Sequence, residues 1–299
     1  MTPTTPGGLI RWGAGPLCFE LTTDDPAVRS LATTVFRPWI NGNEDENRPI
    51  QVWRVERVHG NGAGTGTARE WRIRSSAGSD ARAPSAEHAV STVETGAVWA
   101  LLDSSALTVH GALVARGGRG ILLAGRGEAG KSTLACALWA RGAALLGDDL
   151  VIVDPSTAEA RSAPRRVSLR APSRVVLGDA LYERTAHGPS SVDFGESRLF
   201  HPDEIEPYPR SATVPLAAIV FLARRDGAAE PACLAPIPPA LALLALVPYT
   251  NRRSLEALGE AIRTLTPLAA RVPAFDLGRG PLASMVEAVE SLAGYRALA

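Results

Sequence analysis

The run Gly125-Arg126-Gly127-Glu128-Ala129-Gly130-Lys131-Ser132-Thr133 combines glycines, one ammonium and two adjacent hydroxyls. Its order matches G-x-x-x-x-G-K-[ST], in which successive backbone N–H groups turn into a concavity and cradle phosphate oxygens. In that arrangement Lys131 reaches the β and γ phosphates and Ser132 offers its hydroxyl to Mg²⁺. Lys131 is the sole lysine in a chain with 31 Lys and Arg residues, so every other basic position carries a guanidinium. A position that accepted either cation would be expected to hold arginine too. A compact ammonium fitting between phosphates is a demand that the planar guanidinium fork does not meet. The motif therefore assigns nucleoside triphosphate binding to Gly125, Gly127, Glu128, Ala129, Gly130, Lys131, Ser132 and Thr133. Glu128 is the discordant member, because a carboxylate beside phosphates is repelled unless it turns away or meets Mg²⁺ or an arginine.

A second chemical pair is Asp148-Asp149. Adjacent carboxylates at the end of an apolar strand repel each other unless a cation or a proton joins them, and a phosphate-bound Mg²⁺ would be that cation. One aspartate would hold the metal and the other would accept the proton of an attacking hydroxyl. A solvated turn is the plainer alternative, and the short separation from Lys131 speaks against it. His110 lies in the apolar stretch 107–114, where a lone histidine reads first as a satisfied core residue. The other histidines, His59, His88, His187 and His201, lack metal-ligand spacing.

These groups need elements to hold them. Residues 120–124 read as a short strand ahead of the glycine loop, and 133–141 as a helix behind it with Leu134, Ala137 and Leu138 on one face and Gly142 as its stop. Residues 143–154 read as a strand, the Asp148-Asp149 step and a second strand. Residues 107–119 predict a hairpin about Gly117-Gly118, placing His110 on the strand beside the loop. Residues 1–104 read as a separate small α/β domain: strands over 51–58 and 69–74 joined by the glycine-rich 60–67, a helix with Val90, Val93, Ala97 and Leu101 on its face, and Trp53 and Trp71 in the core. Within the second domain, 105–299, a buried strand over 214–223 leads into a turn at 224–227, helices near 239–246 and 254–269, a strand at Ala274-Phe275 and a last helix from Pro281. The connection 178–210 exceeds ordinary loop lengths and reads as a mobile lid or a disordered insertion. Arg252 and Arg253, beside Tyr249 and Asn251, read equally as contacts to an acidic acceptor or as a solvated helix start.

Taken together, His110-Gly-Ala-Leu-Val, the loop Gly125 to Thr133, Arg141-Gly142 and Leu145-Leu-Gly-Asp-Asp149 resemble the C-terminal domain of HPr kinase/phosphorylase and related bacterial kinases, including those that modify lasso peptides. The loop and the Asp-Asp step are similar to ATP-dependent phosphoenolpyruvate carboxykinases as well. The resemblance covers residues 105–155. It implies an α/β fold with a P-loop kinase domain of the HPr kinase/PEP carboxykinase type, ATP and Mg²⁺ as cofactors, and phosphorylation of a hydroxyl, usually a serine. By that match Asp149 is the general base, Asp148 and Ser132 face the metal, and His110 joins Lys131 in the active site. The glutamate-containing Glu-Leu-Arg-Gly-Leu-Gly signature of HPr kinase/phosphorylase is missing, and residues 163–173 stand in its place. That withholds support from a second metal carboxylate, from phosphorolysis and from HPr as substrate. Arg170 is the best candidate there for a phosphate-facing cation, with Arg165 and Arg166 behind it, and a solvated strand end explains them equally well.

Composition narrows the partners. A formal net charge of zero and 45% hydrophobic residues give no broad footprint for nucleic acid or an anionic membrane. The apolar runs 216–223 and 240–247 fall well short of the roughly 20 residues that cross a bilayer, and the N-terminal residues lack a signal-peptide pattern. Cys18, Cys136 and Cys233 suit neither a disulfide framework nor a zinc site, which makes the cytoplasm the expected compartment. The expected acceptor is a serine of a peptide or protein, such as a ribosomally made natural-product precursor. A small-molecule alcohol or free amino acid is the alternative, and a P-loop ATPase switch without an acceptor is a third reading. Asn-Lys-x-Asp cannot occur when the sole lysine is Lys131, which argues against an ordinary GTPase. A homo-oligomer stays open.

Overall fold

Two compact units, Met1–Ser105 and Ala106–Ala299, divide the chain in a computed structural model that describes residues 8–40, 49–59, 69–206, 212–222, 231–252 and 257–292. In the first unit, strands β1 (Leu9–Ala14) and β2 (Leu17–Thr23), helix α1 (Pro26–Phe36), strands β3 (Ile50–His59), β4 (Arg69–Ser75) and β5 (Asp80–Ala83), and helix α2 (Ala86–Leu102) follow in order. The strands form one sheet in the order β1-β2-β3-β4-β5, with β2 and β3 parallel. Alternate residues are buried, and Trp12 stacks on Phe36 at 3.9 Å with Phe19 and Trp53 beside it. The α2 face expected at Val90, Val93, Ala97 and Leu101 is buried, as are Trp53 and Trp71. The outer face of the sheet is laced by ion pairs such as Arg72–Asp80 and Arg74–Glu56.

The second unit begins with β6 (Leu107–Val109), β7 (Gly111–Arg116), β8 (Arg119–Ala124), α3 (Lys131–Ala140), β9 (Ala144–Gly147), β10 (Val151–Asp154) and β11 (Glu159–Ser162). It continues through β12 (Val167–Arg170), α4 (Ser173–Leu177), α5 (Asp179–Arg184), β13 (Val192–Phe194), β14 (Ser197–Phe200) and β15 (Val214–Leu222). It closes with β16 (Leu234–Ile237), α6 (Pro239–Leu246), α7 (Leu258–Arg271), β17 (Ala274–Leu277) and α8 (Leu282–Glu290). The main sheet runs β6-β10-β11-β15-β8-β7-β9, with β17 and β16 attached beyond β15.

Apolar residues fill consecutive positions of β7 and β8 because both faces of this sheet are covered. Ala112, Val114, Ile121 and Leu123 pack on one side with α3 and α8, while Leu113, Ala115, Leu122 and Ala124 pack on the other with α6 and α7. Along β15 the same division changes parity: Leu216 and Ile219 share a face, and Ala218 and Val220 share the other. An irregularity in the pairing with β8 between Leu216 and Ala218 accounts for this, since one extra residue reverses every side chain after it. The turn between β7 and β8 places Gly117 and Gly118 at φ +57° and +75°, the left-handed pair that a two-residue hairpin needs.

The long connection expected over 178–210 is instead folded across most of its length. Helix α5 and strands β13 and β14 lie within it, and β12, β14 and β13 pair as a separate small sheet. Tyr182 and Phe200 from this segment are buried in the same cluster as Trp139, and burial of such aromatic area outweighs loop entropy. The glycine-rich 60–67, the turn at 224–227, Arg253 and the helix start at Ser254 lie outside the described residues. Among the described residues no helix is long and apolar enough to cross a membrane.

Gly111 opens β7 where a side chain has no room: a Cβ there would stand 2.6 Å from the carbonyl oxygen of Leu123. Gly111→Ala is expected to lower stability by about 1–3 kcal/mol, the usual cost of overpacking. Urea unfolding checks this, and an unchanged midpoint would contradict the close strand approach.

Candidate active site

The parallel strands fix where the chemistry sits. Strand β8 ends at Ala124, opposite Gly111 at the start of antiparallel β7. Strand β9 is antiparallel to β7 and ends at Gly147, opposite Leu113. The register therefore brings His110, the glycine loop and Asp148-Asp149 to one edge of the sheet.

The glycine loop leaves β8 at Gly125 and enters α3 through Gly130. Gly125 is packed tightly, with the position of its missing Cβ 3.1 Å from the carbonyl oxygen of Leu222, whereas Gly127 and Gly130 face open space. Gly130 (φ +95°) and Glu128 (φ +65°) adopt left-handed backbone, turning the chain back onto the helix. The first amides of α3 have no intrahelical acceptor, and the helix dipole adds partial positive charge there. Loop and helix start thus form a concave cradle of N–H donors suited to phosphate.

Lys131 is buried at the base of this cradle, only 6% exposed. Its Nζ donates to the carbonyl oxygens of Gly125 (2.9 Å) and Arg126 (3.0 Å) and lies 3.2 Å from His110 Nε2. On the far side of the ring, His110 Nδ1 is 2.9 Å from the carbonyl oxygen of Asp149. Because a carbonyl only accepts, Nδ1 carries the proton, and Nε2 is left to accept from the ammonium. Burial lowers the pKa of Lys131, and burial followed by the Lys131 charge lowers that of His110. His110 occupies the bend between β6 and β7, so the expected continuous strand is broken at this residue.

Ser132 turns toward the other aspartate. Its Oγ donates to Asp148 Oδ1 at 2.9 Å, and the Ser168 amide donates to Oδ2 at 3.4 Å. Asp148 is almost fully buried, and burial, reinforced by the Asp149 charge, pushes its pKa up to about 7. A buried carboxylate this reluctant to ionise, next to a hydroxyl and an open glycine cradle, suits a small divalent cation that takes its remaining ligands from phosphate and water. Among the described residues no group of three or more His, Cys, Asp or Glu side chains forms an all-protein metal site. Ser132 and Asp148 are the residues beside the cradle that could hold Mg²⁺.

Asp149 is about one-third exposed at its side chain, where Arg165 Nη1 lies 3.2 Å from Oδ2. Its left-handed φ of +65° carries the chain away from β9 while its carbonyl meets His110. Glu128 resolves its own discord by bonding Arg170 Nη1 at 2.6 Å, which brings Arg170 to the outer lip of the loop. Thr133 Oγ1 lies 3.0 Å from Ser173 Oγ at the start of α4. Arg166 does not face the site: it is wholly buried and bonds the carbonyl oxygen of Ser190, so its expected role as a phosphate-facing cation is withdrawn. Arg252 is engaged with Glu260 at 3.0 Å. The contributions of the Ser168 amide and Ser173 were missed in the sequence.

Other charged surfaces offer less. A groove of the first unit beside β2 and β3, lined by Asp24, Asp25, Arg54, Glu56 and Arg72, spends its charges internally: Arg54 pairs with Glu56, Arg72 with Asp80, and Asp25 caps α1. No family model matches the chain, and no curated protein matches it either.

The raised pKa of Asp148 has a measurable consequence. The folded value of about 7 lies above the unfolded value near ~3.9, so the bound proton stabilises the fold fully below ~3.9, and that contribution is lost as pH rises through about 7. Asp148 should therefore draw the Tm of metal-free protein down between about pH 4 and about pH 7, against His110, whose lowered pKa favours the fold as pH rises. Asp148→Asn should flatten the decline and exceed the native Tm at the upper end. Calorimetry in chelator checks this, and an undiminished slope in the variant would contradict it.

Proposed function

We propose that the chain is an ATP-dependent kinase of the HPr kinase/PEP carboxykinase type, which transfers the γ-phosphoryl group to a hydroxyl, foremost a serine of a peptide or protein. The observation that carries this reading is the convergence, on one sheet edge, of a buried ammonium, a hydroxyl–carboxylate pair and a second, accessible carboxylate. The first two suit a Mg²⁺-bearing triphosphate, and the third suits an acceptor.

In this mechanism the amides of the glycine loop and α3 bind the phosphate oxygens, and Lys131 exchanges its bonds to Gly125 and Arg126 for bonds to the β and γ phosphates. His110 orients the ammonium through Nε2. Mg²⁺, held by Ser132 and Asp148, would neutralise charge on the phosphate oxygens. Asp149 takes the proton of the acceptor hydroxyl while Arg165 holds the carboxylate in place. The acceptor oxygen forms its bond to the γ phosphorus in line as the bond to the β-phosphate oxygen breaks, and ADP leaves. Arg170, on the loop's outer lip, is placed to exchange Glu128 for a phosphate oxygen.

Asp149→Asn is expected to reduce phosphoryl transfer by about 10²–10⁴-fold, the usual contribution of a positioned base, with ATP affinity within a few fold of the native protein. Radiolabelled ATP with panels of serine peptides and small alcohols measures the first, and calorimetry the second. Equal loss of both would reject Asp149 as base, and phosphate release without a phosphorylated product would reject the kinase reading in favour of an ATPase.

Lys131→Arg tests the demand for an ammonium. The wider guanidinium does not fit a buried position already bonded to two carbonyls and an imidazole, so transfer should fall at least about 10²-fold. Full activity in steady-state assays of the variant would contradict the argument from the single lysine.

A further inference from the structure

We propose that Asn251 is a positioning residue for phosphoryl transfer: its side-chain amide splints the outer edge of β6 and thereby holds the His110 imidazole against the Lys131 ammonium. The inference rests on the kinase reading of the site and deepens it by adding a residue that acts through His110. Strand β6 is where the site needs most support. It spans only Leu107–Val109, ends the main sheet, and has β10 as its strand neighbour on one side. His110 follows it directly, in the bend before β7. The outer edge of such a strand presents backbone groups that no sheet partner takes. Residues two apart along a strand turn their N–H and C=O groups to the same edge, so the Ala106 carbonyl, both groups of Thr108 and the His110 amide share this one.

The chain leaving α6 takes those groups. Beyond the turn Val247–Tyr249, Thr250 forms an antiparallel bridge with Val109. The His110 amide donates to the Tyr249 carbonyl oxygen at 2.6 Å, and the Asn251 amide donates to the Thr108 carbonyl oxygen at 3.1 Å. Backbone pairing then stops, because the Arg252 amide turns back to Thr250 Oγ1 at 3.2 Å. The Asn251 side chain continues it: Oδ1 accepts from the Thr108 amide at 3.2 Å, and Nδ2 donates to the Ala106 carbonyl oxygen at 2.9 Å. A primary amide carries an acceptor and a donor as a peptide group does, so it stands in for the next residue of a strand. Thr108 is wholly buried, and without Asn251 its amide would lose this partner where water cannot replace it. His110 inherits the splinted edge. Its backbone is held by Tyr249, its Nδ1 by Asp149, and its Nε2 faces Lys131 Nζ at 3.2 Å, so slack in β6 reaches the ammonium.

Asn251→Ala and Asn251→Asp test this, the second keeping the acceptor for the Thr108 amide and losing the donor to Ala106. In nucleotide-free protein grown with ¹⁵N-labelled lysine, the single Nζ resonance, that of Lys131, should move in both variants, because His110 no longer holds its native place beside it. In steady-state transfer, kcat should fall about tenfold while the KM for Mg·ATP stays within about threefold, the mark of misplacement rather than of lost binding. A resonance at its native position in a folded variant would overturn the proposal even if Tm falls, since a purely structural asparagine would change stability alone. An unchanged kcat would overturn it too. If Asn251→Ala does not fold, Asn251→Asp carries the same readouts. If the native chain transfers no phosphoryl group, the kinase reading falls, and the resonance still decides whether Asn251 places the pair of Lys131 and His110.

Discussion

The site depends on a buried ammonium that has been given partners. Removing such a charge from water costs several kcal/mol, and here the carbonyl oxygens of Gly125 and Arg126 and the Nε2 of His110 offset that cost. Each partner is itself constrained. The carbonyls exist in that orientation because the loop turns through left-handed backbone at Glu128 and Gly130, and the imidazole presents a lone pair because its other nitrogen donates to Asp149. Lys131, His110 and Asp149 therefore form one chain of hydrogen bonds across neighbouring strands, and a change at any of them alters what the ammonium can offer a phosphate.

The sheet makes that chain possible by being buried on both faces. Covered strands hold their backbone against shear, so the spacing between Gly111, Ala124 and Gly147 is set by interstrand hydrogen bonds rather than by side-chain preference. Several close approaches depend on glycine for this reason. At Gly147 a Cβ would stand 2.5 Å from that of Ser162, so the residue that precedes Asp148 can lie against β11 only without a side chain. The small β12-β14-β13 sheet then carries the Ser168 amide to Asp148 and Arg170 to the lip of the loop.

Much of this was legible in the sequence because the signals are local. The order of strand, glycine loop and helix, the Gly117-Gly118 turn and the apolar flanks of Asp148-Asp149 each occupy a few consecutive residues and carry their own geometry. The segment 178–210 was misread as one long connection because β13 and β14 span only a few residues each, too few for periodicity to register, and because their stability comes from Tyr182, Phe200 and Trp139 meeting across the fold. Arg166 and Arg170 sit in the same run of arginines, yet one is wholly buried and the other more than half exposed at its side chain. Nothing in their neighbours separates them; their distant partners do, the Ser190 carbonyl oxygen for Arg166 and Glu128 for Arg170. The same limit hid Ser168, which acts through its backbone amide and so leaves no mark in residue type.

The single lysine makes the central claim directly observable. In protein grown with lysine labelled by ¹⁵N at Nζ, the side-chain ammonium spectrum contains one resonance, that of Lys131. Titration with Mg·ATP should shift this resonance and raise the pKa read from its pH dependence, as phosphate oxygens replace the carbonyls of Gly125 and Arg126. A resonance that keeps its position and its titration midpoint at saturating Mg·ATP would show that the ammonium does not meet the nucleotide, and the account built on it would fail.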